Sequence, residues 1–386
     1  MPGSDCLSNH NLGRYSNMWL KVFFAGHYKE EHKHQLLQKE TGYRLLSFHY
    51  MTPKLSNLYF IERRSSYDTI IVDSGAYSVW NKGQRIVIDK YITFCLKYMS
   101  GIDYVVNLDV IPGKPGKKPS KAEVEQSAAE GYNNYHYMLK KGIPKEQLIH
   151  VFHQGENFKW LEKMVREMEY IGLSPANDRS TKEKMEWLRQ CMPYVCDSDG
   201  YPLIKFHGFG VTAPPVIRAI PFYSVDSRTW GCQASFRDID VPWRYVLPQK
   251  ETWHFSHSKP LINVGTLNKD SKSFFRKDAS IQNDILAYLC DMGLTLDGVM
   301  NSMTERLLLN AVYINSVAEK LGPDRRYRPT IPDRERRKLR LRYNVRRHLV
   351  YQWTVPVDEW PDTWPTDWEK AQERARRVVA VPPVLP

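Results

Sequence analysis

Three aspartates end short apolar segments of this 386-residue sequence, at positions where side chains can do nucleophilic and acid–base chemistry. They are Asp73 (after TIIV), Asp109 (after YVVNL) and Asp226 (after FYSV). Carboxylates a few ångströms apart suit glycosyl transfer, because one attacks or stabilises an anomeric carbon while another handles protons. Their repulsion and partial burial separate their pKa values and so allow different roles. The alternative for each single Asp is a helix-capping role.

Small and polar residues stand beside these three aspartates. They include Ser74, Gly75 and Gln154, and the run Gly172-Leu173 at the end of another predicted strand. Glycines let a flat ligand approach the backbone closely. His153 and His207 fall near the same segment ends, and we interpret both as packing histidines. Tyr77 and Phe209 are either stacking partners for a planar ligand or core residues.

The elements that must position these residues are eight short apolar or β-branched runs, which predict strands. The predicted strands are residues 20–25, 44–49, 69–73, 104–110, 148–154, 170–174, 204–210 and 222–226. Amphipathic stretches that predict helices lie at 88–100, 120–141, 158–169 and 181–192. This alternation predicts an α/β protein with a (β/α)₈ TIM barrel, and an open doubly wound sheet is the alternative. Reactive groups of such a barrel lie at the C-terminal ends of its strands.

The pattern changes after the eighth predicted strand. Residues 228–276 predict a long insertion with little regular structure, and residues 280–321 predict the helix that closes the barrel and one more helix. We expect a catalytic barrel over residues 1–320, including the insertion, and an Arg-rich arm with a Trp- and Pro-rich tail over 321–386.

The chain is basic, with 55 Lys and Arg against 43 Asp and Glu and a net charge of +12. Such a surplus indicates a polyanionic partner, most often nucleic acid. Residues 324–347 hold eleven Lys and Arg against three acids, and predict either a phosphate-contacting arm or a solvated face. The candidate nucleic-acid-binding residues are Lys114, Lys117, Lys118, Arg228, Arg336, Arg337 and Lys338.

Several classes of protein are disfavoured. The mean hydropathy is −0.53, and we find neither an apolar run of the ~20 residues that a membrane helix needs nor a signal core, so we expect a cytoplasmic protein. The basic segment 113–120 (GKPGKKPS) does not fit the GxxxxGK[ST] phosphate loop. Six cysteines without a CxxC pair predict reduced thiols, and the alternative is a zinc site from Cys191, Cys196 or Cys232 with His254 and His257.

Taken in order, the predicted strand ends resemble the motifs of the tRNA-guanine transglycosylase superfamily. The run DSGAYS at 73–78 resembles the DSGGFQ-type motif, and Asp109 falls where that family has its base-recognising Asp. The remaining correspondences are Gln154-Gly155 with V-Q-G, Gly172-Leu173-Ser174 with G-G-L-S, and Asp226 with the nucleophilic Asp. The order holds over roughly residues 20–230.

Departures from the tRNA enzymes point to a branch of that superfamily. The C-terminal CxCxxC…H zinc pattern is absent, and Ala76 and Tyr77 replace the second Gly and the Phe of the first motif. These features look more like the DNA-directed, DpdA-type enzymes of phages and bacterial genomic islands, which would act in the host cytoplasm. That resemblance implies replacement of guanine in DNA by a 7-deazaguanine derivative, such as 7-cyano-7-deazaguanine, supplied as the free base.

The resemblance also implies roles for single residues. Asp226 would attack C1′ of a flipped-out deoxyguanosine, and Asp73 would act as general acid and base. Asp109 and Gln154 would hydrogen-bond the base. The backbone of Gly172-Leu173 would lie beside it, with Ser74 and Gly75 at the same pocket. No cofactor or metal is expected, because the exchange conserves the energy of the glycosidic bond. The alternatives are a tRNA-directed transglycosylase, a glycosidase acting on small sugars, and a non-catalytic nucleic-acid-binding barrel.

Overall fold

Eight parallel strands form a closed barrel in chain order, with the eighth strand paired to the first. The computed structural model describes residues 18–26, 34–113, 117, 119–242, 261–266 and 271–328. The barrel strands are β1 Lys21–Ala25, β2 Tyr43–Ser47, β3 Thr69–Asp73, β4 Tyr104–Val106, β5 Leu148–His153, β6 Tyr170–Ser174, β7 Lys205–Gly208 and β8 Ser224–Ser227. The predicted TIM barrel is confirmed.

Helices follow most of the barrel strands. They are α1 Gln35–Glu40, α2 Pro53–Asn57, α3 Ala76–Trp80, α4 Ile88–Lys97, α5 Lys121–Lys140, α6 Phe158–Glu167, α7 Thr181–Val195, α8 Pro214–Ala219, α9 Thr229–Ser235, α10 Ala279–Asp291, α11 Leu296–Asn301 and α12 Met303–Lys320. Capping boxes at Ser120 and Ser180 start α5 and α7, which confirms the predicted helix starts there. None of the described helices is long and apolar enough to cross a membrane.

Successive strand residues point to opposite faces, so each strand serves two layers. In β1, Phe23 packs in the barrel interior, whereas Phe24 packs in the layer between barrel and helices. The buried interior cluster comprises Phe23, Ala25, Leu45, Ile71, Val106, Ile149, Val151 and Tyr170. Because this interior is filled with side chains, a ligand can meet the barrel only at its ends, and we call the C-terminal end of the strands the barrel mouth.

Several predicted boundaries differ from those of the structure, among them the end of β4 and the helices over 280–321. β4 ends at Val106 and not at residue 110, because the Asn107 side chain turns to the helix layer, where Nδ2 donates to Gly131 O at 2.8 Å. Residues 280–321, predicted to supply the helix that closes the barrel and one more, form three helices, α10, α11 and α12. Thr295 and Ser302 accept backbone N–H groups at the starts of α11 and α12, so each helix begins anew at its own cap.

The prediction of little regular structure over 228–276 is also wrong for the described part. That part contains α9 and a two-stranded antiparallel sheet, β9 Asp238–Asp240 with β10 Leu261–Asn263. Residues of both strands join a second buried apolar cluster with α10, in which Ile239, Ile262 and Ile285 are fully covered. Burial against α10 stabilises strands that are too short to persist alone.

The first arginine of the predicted basic arm is buried in the barrel unit. Arg325 donates from Nη1 to Phe222 O at 2.7 Å and from Nη2 to Ile220 O at 2.8 Å and to Ile217 O. It is therefore an anchor and not a phosphate contact, which corrects the prediction for this residue. The described chain up to Tyr327 belongs to the barrel unit, and residues 329–386 lie outside the described part, so the predicted division at 320/321 stays a prediction.

Candidate active site

Asp73 ends β3, where the chain turns sharply into α3. Its Oδ2 accepts a hydrogen bond from the Gly75 N–H at 2.9 Å. Gly75 has a φ of +78°, and a Cβ there would lie 2.5 Å from Ser47 Oγ and 2.7 Å from the Cβ of His49. The turn therefore requires glycine. The Ser74 hydroxyl accepts the N–H two residues further on at 3.2 Å, so both predicted base contacts in this turn, Ser74 and Gly75, also shape it.

The charge of Asp73 is coupled to two other aspartates. Burial raises the pKa of Asp73 to about 7, and repulsion from the carboxylates of Asp109 and Asp226 adds to the rise. The Gly75 N–H lowers the pKa but does not offset the other effects. Asp109 and Asp226 therefore both lie within electrostatic reach of Asp73 at the barrel mouth, and we call the three residues the aspartate cluster. A carboxyl group that exchanges its proton near neutral pH is suited to general acid–base catalysis.

Asp109 lies three residues beyond β4 and is paired with His153 at the end of β5. His153 Nε2 lies 3.3 Å from Asp109 Oδ2, and His153 Nδ1 lies 2.9 Å from Glu156 Oε1. Burial disfavours the imidazolium, but the two carboxylates outweigh burial and raise the pKa of His153 well above its ordinary value. Asp109 Oδ1 is buried and has no hydrogen-bond partner within the described chain. That oxygen is available to accept an N–H group of a ligand.

Asp226 lies in β8 with one carboxylate oxygen held and the other open. His207 Nε2 lies 3.2 Å from Asp226 Oδ1, and the Gly210 N–H donates to the same oxygen at 3.0 Å. Oδ2 receives no hydrogen bond from the residues that the structure describes. His207 is fully buried, and Asp226 is 7% exposed. An oriented carboxylate with one unencumbered oxygen can act as a nucleophile.

The predicted residues of β5 and β6 lie on the two strands that follow β4 around the barrel. Gln154 follows β5, and its Oε1 accepts the Ala176 N–H at 3.0 Å, which fixes the orientation of its amide. Gly172 lies within β6, where a Cβ would be 2.4 Å from the ring of Phe209 and 3.2 Å from Val151. The ring of Phe209 therefore covers the Cα of Gly172. Leu173 is fully buried in the layer between barrel and helices, so only its backbone faces the mouth.

A pocket of about 330 Å³ opens beside α3 and the segment that follows β4. Asp109 lines it together with Trp80, Arg85 and apolar side chains. Asp73 and Asp226 are not among the described residues that line it, so the pocket adjoins the aspartate cluster at Asp109. Tyr77, on the first turn of α3, is 49% exposed and its ring stacks on that of Trp80 at 6.1 Å. Of the two interpretations of Tyr77, the structure excludes a core position.

The predicted nucleic-acid contacts are only partly described. Lys117 and Arg228 are exposed, and Arg228 Nε would lie 3.6 Å from a Cβ at Gly26, beside the end of β1. Both residues follow barrel strands, so they belong to the rim of the mouth. The other predicted contacts lie outside the described residues: Lys114, Lys118, Arg336, Arg337 and Lys338.

His207 is fully buried with both ring nitrogens hydrogen-bonded, as expected of a satisfied packing histidine, whereas His153 is partly exposed and pairs with two carboxylates, which corrects the interpretation for that residue. Each bonds one member of the aspartate cluster, His153 to Asp109 and His207 to Asp226. A signal was present in the sequence: both histidines alternate with apolar residues of the layer between barrel and helices, Phe152 and Phe206, so each places a polar ring on the inward face of its strand. Glu156 and Gly210 had no such signal, because loop geometry places them.

The cysteines offer no metal site in the described part of the chain. Cys95, Cys191 and Cys196 are buried, as predicted for packing thiols, whereas Cys232 and Cys290 are exposed. Among the described residues no group of His, Cys, Asp and Glu is arranged to hold a metal ion. The histidines of the alternative zinc site, at 254 and 257, lie outside the described residues.

A scan against protein-family models and a search of curated proteins found no match to this chain. The TIM barrel is a fold that commonly carries enzymes, with catalytic residues at the mouth where the aspartate cluster lies. Because one barrel fold supports many chemistries, the choice of reaction depends on the site and on the motif resemblance.

Proposed function

We propose that this protein replaces guanine in DNA with a 7-deazaguanine derivative, such as 7-cyano-7-deazaguanine, through a covalent Asp226–glycosyl intermediate. The observation that carries the proposal is the aspartate cluster, in which Asp73 has a pKa of about 7 and Asp226 has one open oxygen. The order of the family-like motifs and the net charge of +12 support it. The DNA branch is favoured over the tRNA branch by the missing zinc pattern.

In the first half-reaction, the target nucleotide is flipped out of the duplex into the mouth. Asp226 Oδ2 attacks C1′ as the C1′–N9 bond breaks, and the electron pair of that bond leaves with guanine. Protonated Asp73 supplies the proton that makes guanine a neutral leaving group. The transition state has oxocarbenium character, which the negative charge of Asp226 stabilises.

The second half-reaction reverses these steps with the free deazaguanine. Ionised Asp73 takes the N9 proton of the incoming base, and N9 attacks C1′. The C1′–O bond to Asp226 breaks, and the carboxylate is regenerated. A group with a pKa near 7 can act in both half-reactions, because its protonated and ionised forms have similar free energies at neutral pH.

Base selection depends on donors and acceptors at the wall of the mouth. Asp109 Oδ1 is a buried acceptor without a partner in the described structure, which suits the ring N–H and amino group on the edge of guanine. The amide of Gln154 is oriented by Ala176 and supplies a donor. A base lacking these groups would leave buried polar atoms unpaired, which is costly.

The test uses the full-length protein, labelled guanine, and DNA or tRNA as separate acceptors. We expect label to enter DNA, and we expect a denaturant-resistant protein–DNA adduct. Asp226→Asn should lower exchange by at least about 10³-fold and abolish the adduct. Asp199→Asn, at an exposed loop aspartate, is the matched control.

Each outcome has one consequence. Exchange into tRNA alone would replace DNA by tRNA as the substrate. Exchange that persists in Asp226→Asn would remove Asp226 from the mechanism. Tight nucleic-acid binding with no exchange of any base would favour the non-catalytic barrel. Nucleoside mass spectrometry of DNA from cells that make free 7-deazaguanine bases identifies the base inserted.

A further inference from the structure

A chain of buried polar side chains runs through the barrel interior to Asp226. The Tyr170 hydroxyl is hydrogen-bonded to Ser224 Oγ, and Ser224 Oγ lies 2.6 Å from His207 Nδ1. His207 Nε2 completes the chain at 3.2 Å from Asp226 Oδ1. TIM-barrel interiors are dominated by branched apolar side chains, and buried polar groups cost free energy unless they are bonded. The position of this polar chain, which ends on an aspartate of the mouth, therefore indicates that it acts on that aspartate.

When Asp226 is ionised and His207 is neutral, the donors and acceptors of this chain can be arranged in only one direction. An ionised carboxylate only accepts, so His207 Nε2 must carry the proton that faces Asp226. The neutral ring then has an acceptor at Nδ1, to which the Ser224 hydroxyl donates. Ser224 Oγ in turn accepts from the Tyr170 hydroxyl. Burial raises the pKa of Tyr170 well above its ordinary value, so this hydroxyl keeps the proton that it donates.

We propose that His207 is a positioning residue for Asp226, and that Ser224 and Tyr170 hold it in the tautomer that presents Nε2–H to the carboxylate. This inference rests on the proposed function, in which Asp226 is the nucleophile. His207 and the Gly210 N–H both occupy Oδ1, so attack on C1′ falls to Oδ2. The chain thereby selects one of two chemically equivalent oxygens and fixes the plane of the carboxylate.

Aromatic packing holds the two rings of the polar chain, His207 and Tyr170, in place. The His207 ring lies edge-on to Phe209 at 4.4 Å and to Phe23 at 5.8 Å between centroids. The Tyr170 ring is held edge-on by Tyr104 at 5.1 Å and by Tyr223 at 5.4 Å. With both rings clamped, neither can rotate to find another partner, so the hydrogen-bond order is imposed by the fold.

Nuclear magnetic resonance of the full chain, with ¹⁵N-labelled histidine rings, tests the tautomer directly. The His207 signals are those lost in the spectrum of His207→Gln. We expect protonated Nε2 and unprotonated Nδ1 at pH 7.5, and a shift away from this pattern in Ser224→Ala. A ring protonated at Nδ1, or at both nitrogens, in the wild type overturns the proposed direction of the chain.

Activity measurements separate positioning from mere packing. His207→Leu removes the donor and should lower kcat for base exchange by about 10- to 100-fold, the effect of one hydrogen bond to a charged group. The KM for the free base should change less than about twofold, because His207 does not contact that base. His207→Gln places an amide N–H at the same position and should recover most of the loss. His136→Leu, at an exposed histidine of α5, is the matched control.

The results distinguish failure of this inference from failure of the proposed function. If the wild type exchanges bases but His207→Leu does so equally well at unchanged melting temperature, the positioning role is wrong. If His207→Gln is as slow as His207→Leu while both remain folded, shape and not the donor matters, and the role is again wrong. If the wild type exchanges no base, the proposed function and the positioning role both fail, while the ring spectrum still decides the direction of the chain.

Discussion

His153 and Asp109 form an ion pair at the barrel mouth, with Nε2 of the imidazole 3.3 Å from Oδ2 of the carboxylate. Glu156 holds the other ring nitrogen, so one imidazolium bridges two carboxylates that come from different loops. The pair leaves Asp109 Oδ1 directed away from His153 and without a partner in the described chain. One carboxylate oxygen of Asp109 is thus paired inside the protein, and the other is left for a ligand.

His153→Gln should make stability depend on pH in a defined direction. The pKa of His153 is raised in the folded protein, so its charge stabilises the fold fully below about pH 6.5, its ordinary value, and this contribution is lost as the pH rises through the raised pKa. At pH 6 we expect the variant to lose about 1–3 kcal/mol. Urea unfolding at several pH values measures it. Exposed His136→Gln is the control, and a difference that does not change with pH contradicts the prediction.

Asp73→Asn should stabilise the protein at high pH. The folded carboxyl has a pKa of about 7 and the unfolded one about 4, so wild-type stability falls as the pH rises between these values and then stays low. The asparagine variant does not titrate and keeps an acceptor for the Gly75 N–H. Relative to wild type it should gain about 3 kcal/mol between pH 5 and pH 8.5. Denaturant titrations at pH 5 and pH 8.5 test this. The same difference in the free energy of unfolding between variant and wild type at both pH values would refute it.

The release of guanine should slow as Asp73 ionises. The departing base needs the proton of Asp73, so single-turnover release should fall about tenfold per pH unit above the pKa of about 7. The measurement is quench-flow from pH 5.5 to 9 with labelled DNA. Asp73→Asn should release guanine slowly, and its rate should not fall as the pH rises. A wild-type rate that is flat over the range would assign the proton to another group.

Gly172→Ala should displace the ring of Phe209. The new Cβ would lie 2.4 Å from that ring, and we expect a loss of about 1–3 kcal/mol in the free energy of unfolding. Adding Phe209→Ala should recover part of the loss, because it removes the clash. Gly131→Ala is the control, since its Cβ would meet only the His150 ring at 3.5 Å. Equal costs at the two glycines would show that Phe209 does not lie on Gly172 in solution.

Neutralising Arg336, Arg337 and Lys338 should weaken nucleic-acid binding and flatten its dependence on salt. Each lost phosphate contact removes about one from the slope of log affinity against log salt. Filter binding over a range of salt concentrations measures the slope. The control replaces exposed Lys140, Lys141 and Lys145, which precede β5 and so lie at the end of the barrel opposite the mouth. An equal effect of both triples would mean that only the total charge matters.

The barrel and the three aspartates could be predicted because local pattern determines them. A run such as TIIVD can bury both faces only as a central parallel strand, and a polar residue where it stops must lie at the strand's end. Eight such runs separated by amphipathic helices favour a closed barrel over an open doubly wound sheet, and in the barrel Asp73, Asp109 and Asp226 lie at one mouth. The glycine that follows Asp73 at position 75 is the local requirement of a left-handed turn.

Tertiary structure alone decided which partner each aspartate has. His153 is 44 residues from Asp109 in the chain, and His207 is 19 residues from Asp226, so no local pattern pairs them. Likewise, the sequence groups Arg325 with the other charges of a basic arm, whereas in the fold its guanidinium donates to three backbone carbonyls. A hydrogen bond depends on distance and direction between groups that only the closed barrel brings together, whereas apolar periodicity depends on the chain itself.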